Sequence, residues 1–561
     1  MDPVQKPLMF PRNILTRRLN MRLAQPIRIP HPTTIRPPTP IRPTFQQIFD
    51  NTTRATPSLT ASGRLQKHCL IVCFDKYFGF AKNNAIPWSI REDFLMLMDV
   101  TKRSVNGKKN VIVMGKNTWY ALPDKSRGLP DRINKVVSSS MTYDDLLKTN
   151  CTKTETYLWP HFFEAMNATH KMDINKVFIG GGHEIYKEAL KKNFLDEIYL
   201  TIIDHDYQCD RVFPWEELQD ILDEYVVAKD KTFELTDTSS NLKNPVRFLK
   251  LVHRDSYSPE EFKIAGDHPY LNLLEKVYRT GEYRLTRNGY TNSLFGHTME
   301  FDLRKGFPLL TTKSVSLHNI FHELMFFIKG QTDTNLLKAL NVNIWNQNTS
   351  REFLDSVGLN NYAEGDMGPM YGYQWRHFNA PYTGCNEDYR GTGTDQLTNC
   401  INLIKSDPYS RRIIMTTFNP AQAREGCLYP CHGIAIQFYI EGANKLSCMM
   451  NQRSGDLFLG VPYNIASYAL LVQMICEVIN NTNKDIPKIQ LEPGRLIVVL
   501  GDVHIYESHR SQVVRQLLRD PMEFPKLGFK RRVMEIEDFK FEDLELTGYV
   551  PYPNVSAKMV A

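Results

Sequence analysis

The chain has 561 residues, 42% hydrophobic and 23% charged, which is too long for one ordinary core and too mixed for a wholly disordered chain; two or three globular domains are expected. The formal charge of +6 is unevenly spread: residues 1–64 hold nine Arg, one Lys and two Asp, a net of +8, so the remainder sums to −2 and carries no charge signature for nucleic acid. The ten cysteines show no paired CxxC spacing, which predicts reduced thiols in a cytoplasm-like compartment and no metal.

In chain order, residues 1–64 are rich in Pro, Thr and Arg ("IRIPHPTTIRPPTPIRPT") and have no apolar periodicity. Such a segment buries too little surface to offset its ordering entropy and is expected to be disordered. Arg-rich, acid-poor composition also fits a mitochondrial or other organelle presequence, or a tail that touches nucleic acid or a partner. No hydrophobic core of a secretory signal is present.

From Leu65, "CLIVCF", "KNVIVMG", "KVVSS", "KVFIGGG", "DEIYLTII" and "VRFLKLVHR" read as strands, with "REDFLMLMDVTK" and "HEIYKEALKK" as helices between them. That alternation predicts an α/β domain with an open, mostly parallel sheet over residues 65–255. In "IPWSIREDFLMLMDV", Ile90, Phe94, Leu97 and Met98 recur at helical spacing and define an expected buried face. Asp93 is three residues after Ile90 and four before Leu97, so burial would raise its pKa and suit it to hold a proton; the alternative is a buried Asp that bonds only local backbone. "VIVMGKNTW" and "FIGGGHEIY" are strand, glycine turn and helix start, the device that accepts phosphate. Two such turns and a buried acid suggest a dinucleotide opposite a substrate that must be protonated.

With "FGFAKNNAIPW", "VIVMGKNTWYALP", "RGLPDRINKVVSS" and "FIGGGHEIY" in order, this half resembles the dihydrofolate reductase family over about residues 66–255. The resemblance implies reduction of dihydrofolate by NADPH. It puts Asp93 at the family's pterin-binding carboxylate, with Thr201 behind it, and Ile86, Phe94 and Leu122 around the pterin and benzoyl rings. Arg132 would pair with the glutamate tail of folate. Cys73, Gly79, Gly115, Lys116, Thr118, Ser138, Gly181, Gly182 and Tyr186 would hold NADPH. Ser139 stands where relatives often carry a base for the 2′-phosphate, leaving that preference to Lys116 and Thr118. Leu97 replaces a frequent aromatic.

A short polar junction, residues 256–266, leads to a second block over 267–561 that mixes helices (317–329, 465–480) with strands (434–440, 445–452, 496–500), an α+β domain with a large mixed sheet and no internal repeat. The apolar stretch "IASYALLVQMICEVI" is too short to span a bilayer and reads as a buried helix. Cys431 in "YPCHGIAIQFY" is a nucleophile only if something positive stabilises its thiolate, and Arg453, Arg411 and Arg412 are candidates. Arginines without neighbouring acids also suggest a phosphate. Glu323 lies three residues after Ile320 and four before Phe327, repeating the placement of Asp93. Each also has a structural reading: core thiol, surface arginine, helix-face ion pair.

"FPLLTTK", "ELMFFIKG", "GPMYGYQWRHF", "SRRIIM", "YPCHGIAIQFY", "QRSGDLFLGVPYNIASYALL" and "GDVHIYESH" give this block a resemblance to the thymidylate synthase family across its whole length. The resemblance implies that Cys431 adds to carbon 6 of dUMP, that carbon 5 then attacks 5,10-methylenetetrahydrofolate, and that dTMP and dihydrofolate leave. Arg453 and Ser454 would hold the phosphate and Arg453 would lower the thiol pKa, with Arg287 a further phosphate ligand in a loop one residue shorter than usual. Arg411 and Arg412 would reach the neighbouring subunit's phosphate, which requires a homodimer. Glu323, Tyr371 and His432 would organise proton-carrying waters, Asp456 would meet the pterin, and His504 with Tyr506 would bond the ribose. Asn464 matches uracil rather than cytosine, since its amide can accept from N3–H and donate to O4. Asn346 replaces a common Asp.

Reductase first and synthase second resembles the bifunctional enzyme of protists and plants, in which the dihydrofolate left by one site feeds the other. The rival expectations are a chain whose reductase half is only a scaffold, and an RNA-binding regulator working through the basic tail.

Overall fold

The computed structural model describes residues 43–51, 66–104, 107–192, 194–258, 266–482 and 490–560, and residues 44–561 cluster as one unit. The expectations of targeting or RNA contact for the basic tail, and most of the junction, fall on residues outside this set. Within residues 1–64, disorder is not what the described part shows. Phe45–Asn51 forms a helix (α1), with Phe45, Ile48 and Phe49 buried. Their i, i+3, i+4 spacing was lost among the prolines around it. Phe45 packs on Phe74 and Phe78, and the Arg247 guanidinium lies 4.8 Å from the Phe49 ring.

The first half contains β1 (Lys67–Asp75), β2 (Gly79–Ala81), helix α2 (Arg91–Lys102), β3 (Asn110–Gly115), helix α3 (Lys116–Ala121), β4 (Arg132–Val137), β5 (Thr156–Trp159), β6 (Lys176–Ile179), helix α4 (His183–Lys191), β7 (Glu197–Ile203), β8 (Arg211–Val212), β9 (Tyr225–Asp237) and β10 (Leu242–His253). Eight strands make one sheet in the order β5-β4-β3-β6-β1-β7-β10-β9, parallel from β5 to β7 and closed by the antiparallel pair β10 and β9. Helices cover this sheet, so its central strands are near-continuous apolar runs rather than alternating ones. Because β3 and β6 are parallel neighbours, with Val113 opposite Ile179, both glycine turns emerge side by side at their C-terminal ends.

One expectation about α2 is corrected. Its buried residues are Glu92, Met96, Asp99 and Thr101, while Leu97 and Met98 are half-buried and Phe94 is 46% exposed. A single apolar stripe implies one covered face, whereas this helix is covered on a second face by the C-terminal half of the chain.

The second half follows with helix α5 (His268–Thr280), β11 (Glu282–Thr286), β12 (Gly289–Asp302), helix α6 (Leu317–Ile328), helix α7 (Gly372–His377), β13 (Ile414–Met415), β14 (Ile436–Glu441), β15 (Lys445–Asp456), helix α8 (Gly460–Thr482), β16 (Glu492–Tyr506) and helix α9 (Arg510–Leu518). Its sheet runs β11-β12-β16-β15-β14-β13 and is mixed: β15 and β16 are parallel and the other pairs antiparallel. Helix α8 has 23 residues, long and apolar enough to cross a membrane, so length alone did not set it apart as expected. It is instead the central core helix, packed on β15, β16 and α6.

Candidate active sites

In the first half the two glycine turns meet. The Gly115 N–H donates to the Gly181 carbonyl at 2.7 Å, and a side chain on Gly181, whose φ is +109°, would strike the Tyr186 hydroxyl. Tyr186 is buried and donates to the Ile71 carbonyl at 2.9 Å, so it braces the turn from behind. Thr118 lies beside Gly182, and the Lys116 ammonium reaches Ser140 at 3.3 Å, next to Ser138, whose hydroxyl accepts from the Met141 N–H at 3.0 Å. Gly79 is pinned by Asp75 at 2.8 Å and has no room for a side chain beside Cys209. Paired glycine turns flanked by an ammonium and three hydroxyls fit a dinucleotide phosphate.

Asp93 sits beside this cradle, half-buried at the start of α2. Burial pushes its carboxyl above the usual range, while neighbouring Thr201 and Cys73 oppose that shift. Cys73 and Thr201 are register partners on β1 and β7, so the sheet itself delivers both to the acid. Cys73, expected at the cofactor, thus also neighbours the acid. The buried Thr201 hydroxyl makes no short hydrogen bond among the described residues. Ile86, 58% exposed, and Phe94 are apolar surfaces open to a flat ligand, with Leu122 at the end of α3. Arg132 is fully buried; its guanidinium donates to the Thr101 hydroxyl at 2.5 Å and the Pro130 carbonyl at 3.1 Å. Burial lowers its pKa to about 10.

In the second half Cys431 lies in the loop before β14. Gly433, two residues on, has φ +66° and faces the Tyr468 hydroxyl at a distance that excludes a side chain. From β15, the Arg453 guanidinium lies 3.8 Å from the Cys431 sulfur, fixed by the carbonyls of Pro430 (2.8 Å) and Tyr429 (3.0 Å). Arg453 was expected to lower the thiol pKa. Burial wins instead: it raises the thiol above its ordinary value, against the pull of Arg453 and Arg287. Arg287, in the shorter loop, donates to the Asn288 side chain at 2.9 Å. Among the described residues, neither arginine makes an ion pair with a carboxylate, and the same holds for the exposed Arg411 and Arg412.

Tyr371 caps α7 with φ +41°, a strained conformation for an aromatic residue. Its hydroxyl accepts from the Cys431 N–H at 3.1 Å, and its ring stacks between Phe327 and His432. His432 is buried 3.0 Å from the Tyr468 hydroxyl, and burial lowers its pKa to about 3, so it is neutral at physiological pH. Glu323, on the largely buried α6, is raised by burial to about 7 although Trp345 Nε1–H donates to it at 2.9 Å. The sequence reading missed Trp345; the only signal was a tryptophan in the polar run "NVNIWNQN".

The parallel pair β15 and β16 sets Ser454 opposite Asp502 and Asp456 opposite His504. His504 Nδ1 bonds Asp502 at 2.8 Å, and its ring meets Tyr506 edge-on. Asp456 accepts from the N–H groups of Phe458 and Leu459. The Asn464 carbonyl oxygen accepts from Gln452 at 3.2 Å, which orients its amide. Burial raises the Tyr506 hydroxyl above its ordinary value, with Asp456 and Cys431 adding to the rise and Arg287 opposing it. Among the described residues, no group of three or more His, Cys, Asp or Glu is placed to hold a metal ion.

A dinucleotide turn beside a raised carboxyl in one domain, and a thiol among unpaired guanidinium groups in the other, define a two-domain enzyme with one redox site and one covalent site. Comparison with known proteins agrees. The dihydrofolate reductase family model matches residues 68–247 and the thymidylate synthase model residues 268–561. The chain is 36% identical to the bifunctional dihydrofolate reductase-thymidylate synthase of Zea mays over 530 residues, 89% of this chain and 98% of that one. It is 37% identical to bifunctional dihydrofolate reductase-thymidylate synthase 1 of Arabidopsis thaliana over 538 residues, 91% of this chain and 99% of that one, and 36% identical to the Leishmania amazonensis protein over 519 residues, 88% and 95%. The chain belongs to the bifunctional dihydrofolate reductase–thymidylate synthase family, and it is an enzyme of dTMP synthesis with both activities.

Proposed function

We propose that Cys431 and Asp93 are the reacting thiol and the proton-holding acid of these two activities. In the synthase half, the Cys431 sulfur bonds to carbon 6 of dUMP as the thiol proton leaves, and the electrons of the 5,6 double bond move onto the uracil oxygen. Carbon 5 then attacks the methylene group of 5,10-methylenetetrahydrofolate as one of its two carbon–nitrogen bonds breaks. Loss of the carbon 5 proton to a base expels tetrahydrofolate by breaking the other, leaving an exocyclic methylene group on the ring. A hydride from the folate completes the methyl group, and cleavage of the sulfur–carbon bond frees dTMP and dihydrofolate. Since burial keeps the resting thiol protonated, a base must take its proton. Glu323, raised to about 7, can hold or release one near neutrality through waters organised by Tyr371 and His432. Arg453, Ser454 and Arg287 meet the phosphate, Asn464 reads the uracil edge, His504 and Tyr506 meet the ribose, and Asp456 meets the pterin.

In the reductase half, NADPH supplies the hydride when bound. Gly115, Lys116, Thr118, Gly181 and Gly182 hold its phosphates, with Ser138 beside them and Gly79 and Tyr186 supporting. Asp93 keeps a proton available for the pterin ring nitrogen, with Thr201 and Cys73 behind it. Ile86, Phe94 and Leu122 cover the rings. The buried guanidinium of Arg132, which makes no ion pair among the described residues, binds the glutamate tail.

A homodimer forms through the outer face of the synthase sheet. Register aligns Ile414, Gln437, Met449 and Ile497 across four strands there, with Ile414 49% and Tyr439 57% exposed. Arg411 and Arg412, just before β13, would then serve the partner's phosphate. Mixing Arg411→Ala with Cys431→Ala protein should restore synthase turnover that neither homodimer has; no recovery would count against the shared site.

The observation that carries the synthase assignment is the Cys431 sulfur 3.8 Å from a guanidinium with no carboxylate partner among the described residues. With 5-fluoro-dUMP and methylenetetrahydrofolate, the protein should form a covalent adduct visible by mass spectrometry, and Cys431→Ala should abolish it. An adduct that survived this change would refute the assignment.

A further inference from the structure

Helix α2 has two working faces. One presents Asp93 to the reductase site. The other carries Glu92, Met96, Asp99 and Arg103, a stripe at i, i+4, i+7 and i+11 that faces the synthase half. The Ser511 hydroxyl, on α9, donates to Glu92 at 2.6 Å. Asp99 accepts four bonds, from Arg515 Nε and Nη2 at 2.7 Å each and from Arg519 Nε and Nη2 at 2.9 and 3.2 Å. The Arg103 guanidinium lies 4.0 Å above the Tyr552 ring and donates to the Asp520 carbonyl at 3.2 Å.

Arg519 is not a mobile surface partner. It is 2% exposed, and its Nη1 donates to the carbonyls of Thr312 (2.7 Å) and Pro553 (2.9 Å), so the synthase core fixes the fork that grips Asp99. Two residues beyond Asp99, the Thr101 hydroxyl accepts from Arg132. A single carboxylate thus ties the synthase core to the helix that carries the acid and braces the tail-binding arginine.

We propose that Asp99 is a positioning residue of the reductase: gripped by Arg515 and Arg519, it sets the helix that presents Asp93 and, through Thr101, Arg132 to dihydrofolate. The synthase half is therefore part of the reductase's scaffold, independent of any passage of dihydrofolate between the sites. This inference rests on the reading of Asp93 as the proton-holding acid.

The test uses the full-length protein. Asp99→Asn keeps shape and removes charge. It should lower the reductase kcat/KM for dihydrofolate about ten- to a hundredfold, chiefly through KM, as expected when a binding group is displaced by a fraction of an ångström to an ångström. The NADPH dissociation constant and synthase turnover should stay within about twofold, which global unfolding would not allow. Arg515→Gln, at the rim of the cluster, removes two of the four bonds and should act in the same direction more weakly; it decides the matter if Asp99→Asn does not fold. Arg515→Lys, which keeps the charge, should recover part of the loss. Unchanged dihydrofolate constants in the foldable variants, or losses of NADPH affinity and synthase turnover in step with them, would overturn the proposal. Asp93→Asn separates the two claims. Full turnover there overturns the reading of the acid, whereas turnover lost there but unchanged in the Asp99 and Arg515 variants overturns the positioning claim alone.

Discussion

Asp93 and Glu323 occupy the same place in sequence, three residues after an isoleucine and four before an apolar residue, yet the fold treats them differently. Glu323 is on a helix buried on nearly every side, with Trp345 as its bonding partner, and its raised pKa comes from depth in one core. Asp93 is on a helix held between two domains, half-buried beside the two central strands β1 and β7, with Cys73 and Thr201 delivered by strand register. An apolar stripe locates an acid in depth only when one core covers the helix. Where a second domain covers the other face, charges there are buried too, and they are paired across the interface: Asp99 with two arginines, and Lys229 and Lys250 with Asp520.

The sharpest way to break this comparison is to neutralise each acid in turn. Glu323→Gln should lower synthase kcat roughly 10²- to 10⁴-fold and leave the reductase intact, and Asp93→Asn should do the reverse, as measured by spectrophotometric assays on one sample. A variant that damaged both activities equally would mean that the acids are structural. Next in size is the interface. Asp99→Ala leaves the buried Arg519 and half-buried Arg515 guanidinium groups facing no carboxylate and should cost about 3–5 kcal/mol in denaturant unfolding, far more than a surface pair. Burial would raise the Asp99 carboxyl, but the hydrogen bonds and charges of Arg515 and Arg519 hold it below its ordinary value. Its contribution is therefore present above the unfolded-state pKa and is lost as pH falls through the lowered folded-state value. Acid should loosen the wild-type interface, and Asp99→Ala should flatten that part of the stability–pH curve.

The smallest effect sharpens the account of Glu323. The Trp345 N–H favours the charged carboxylate, so Trp345→Phe should raise the Glu323 pKa above about 7. The limb of the synthase pH profile that reports this group should move to higher pH by roughly one to two units, since a hydrogen bond to a charged group is worth about 1.5–3 kcal/mol and each unit about 1.36. A limb that stayed in place would show that the profile reports another group.

The division between what was legible in the sequence and what was not follows the range of the interactions. Strand runs, the glycine turns, the thiol in its loop and the ordered segments of both families depend on local pattern, and the chain alone carried them. The class of fold and both activities followed from that. The burial of α2 on its polar stripe, the helix at Phe45–Asn51 inside a proline-rich tail and the raised thiol of Cys431 did not. Each depends on how much of a residue's surroundings is removed from water by segments distant in the chain. That quantity has no periodic trace in the sequence: Asp99 and Arg519 are 420 residues apart, and nothing near either predicts the other. The sequence determined which groups are available for chemistry; tertiary packing decided which of them are charged, and which helix each domain holds for the other, because desolvation and ion pairing are set in space rather than along the chain.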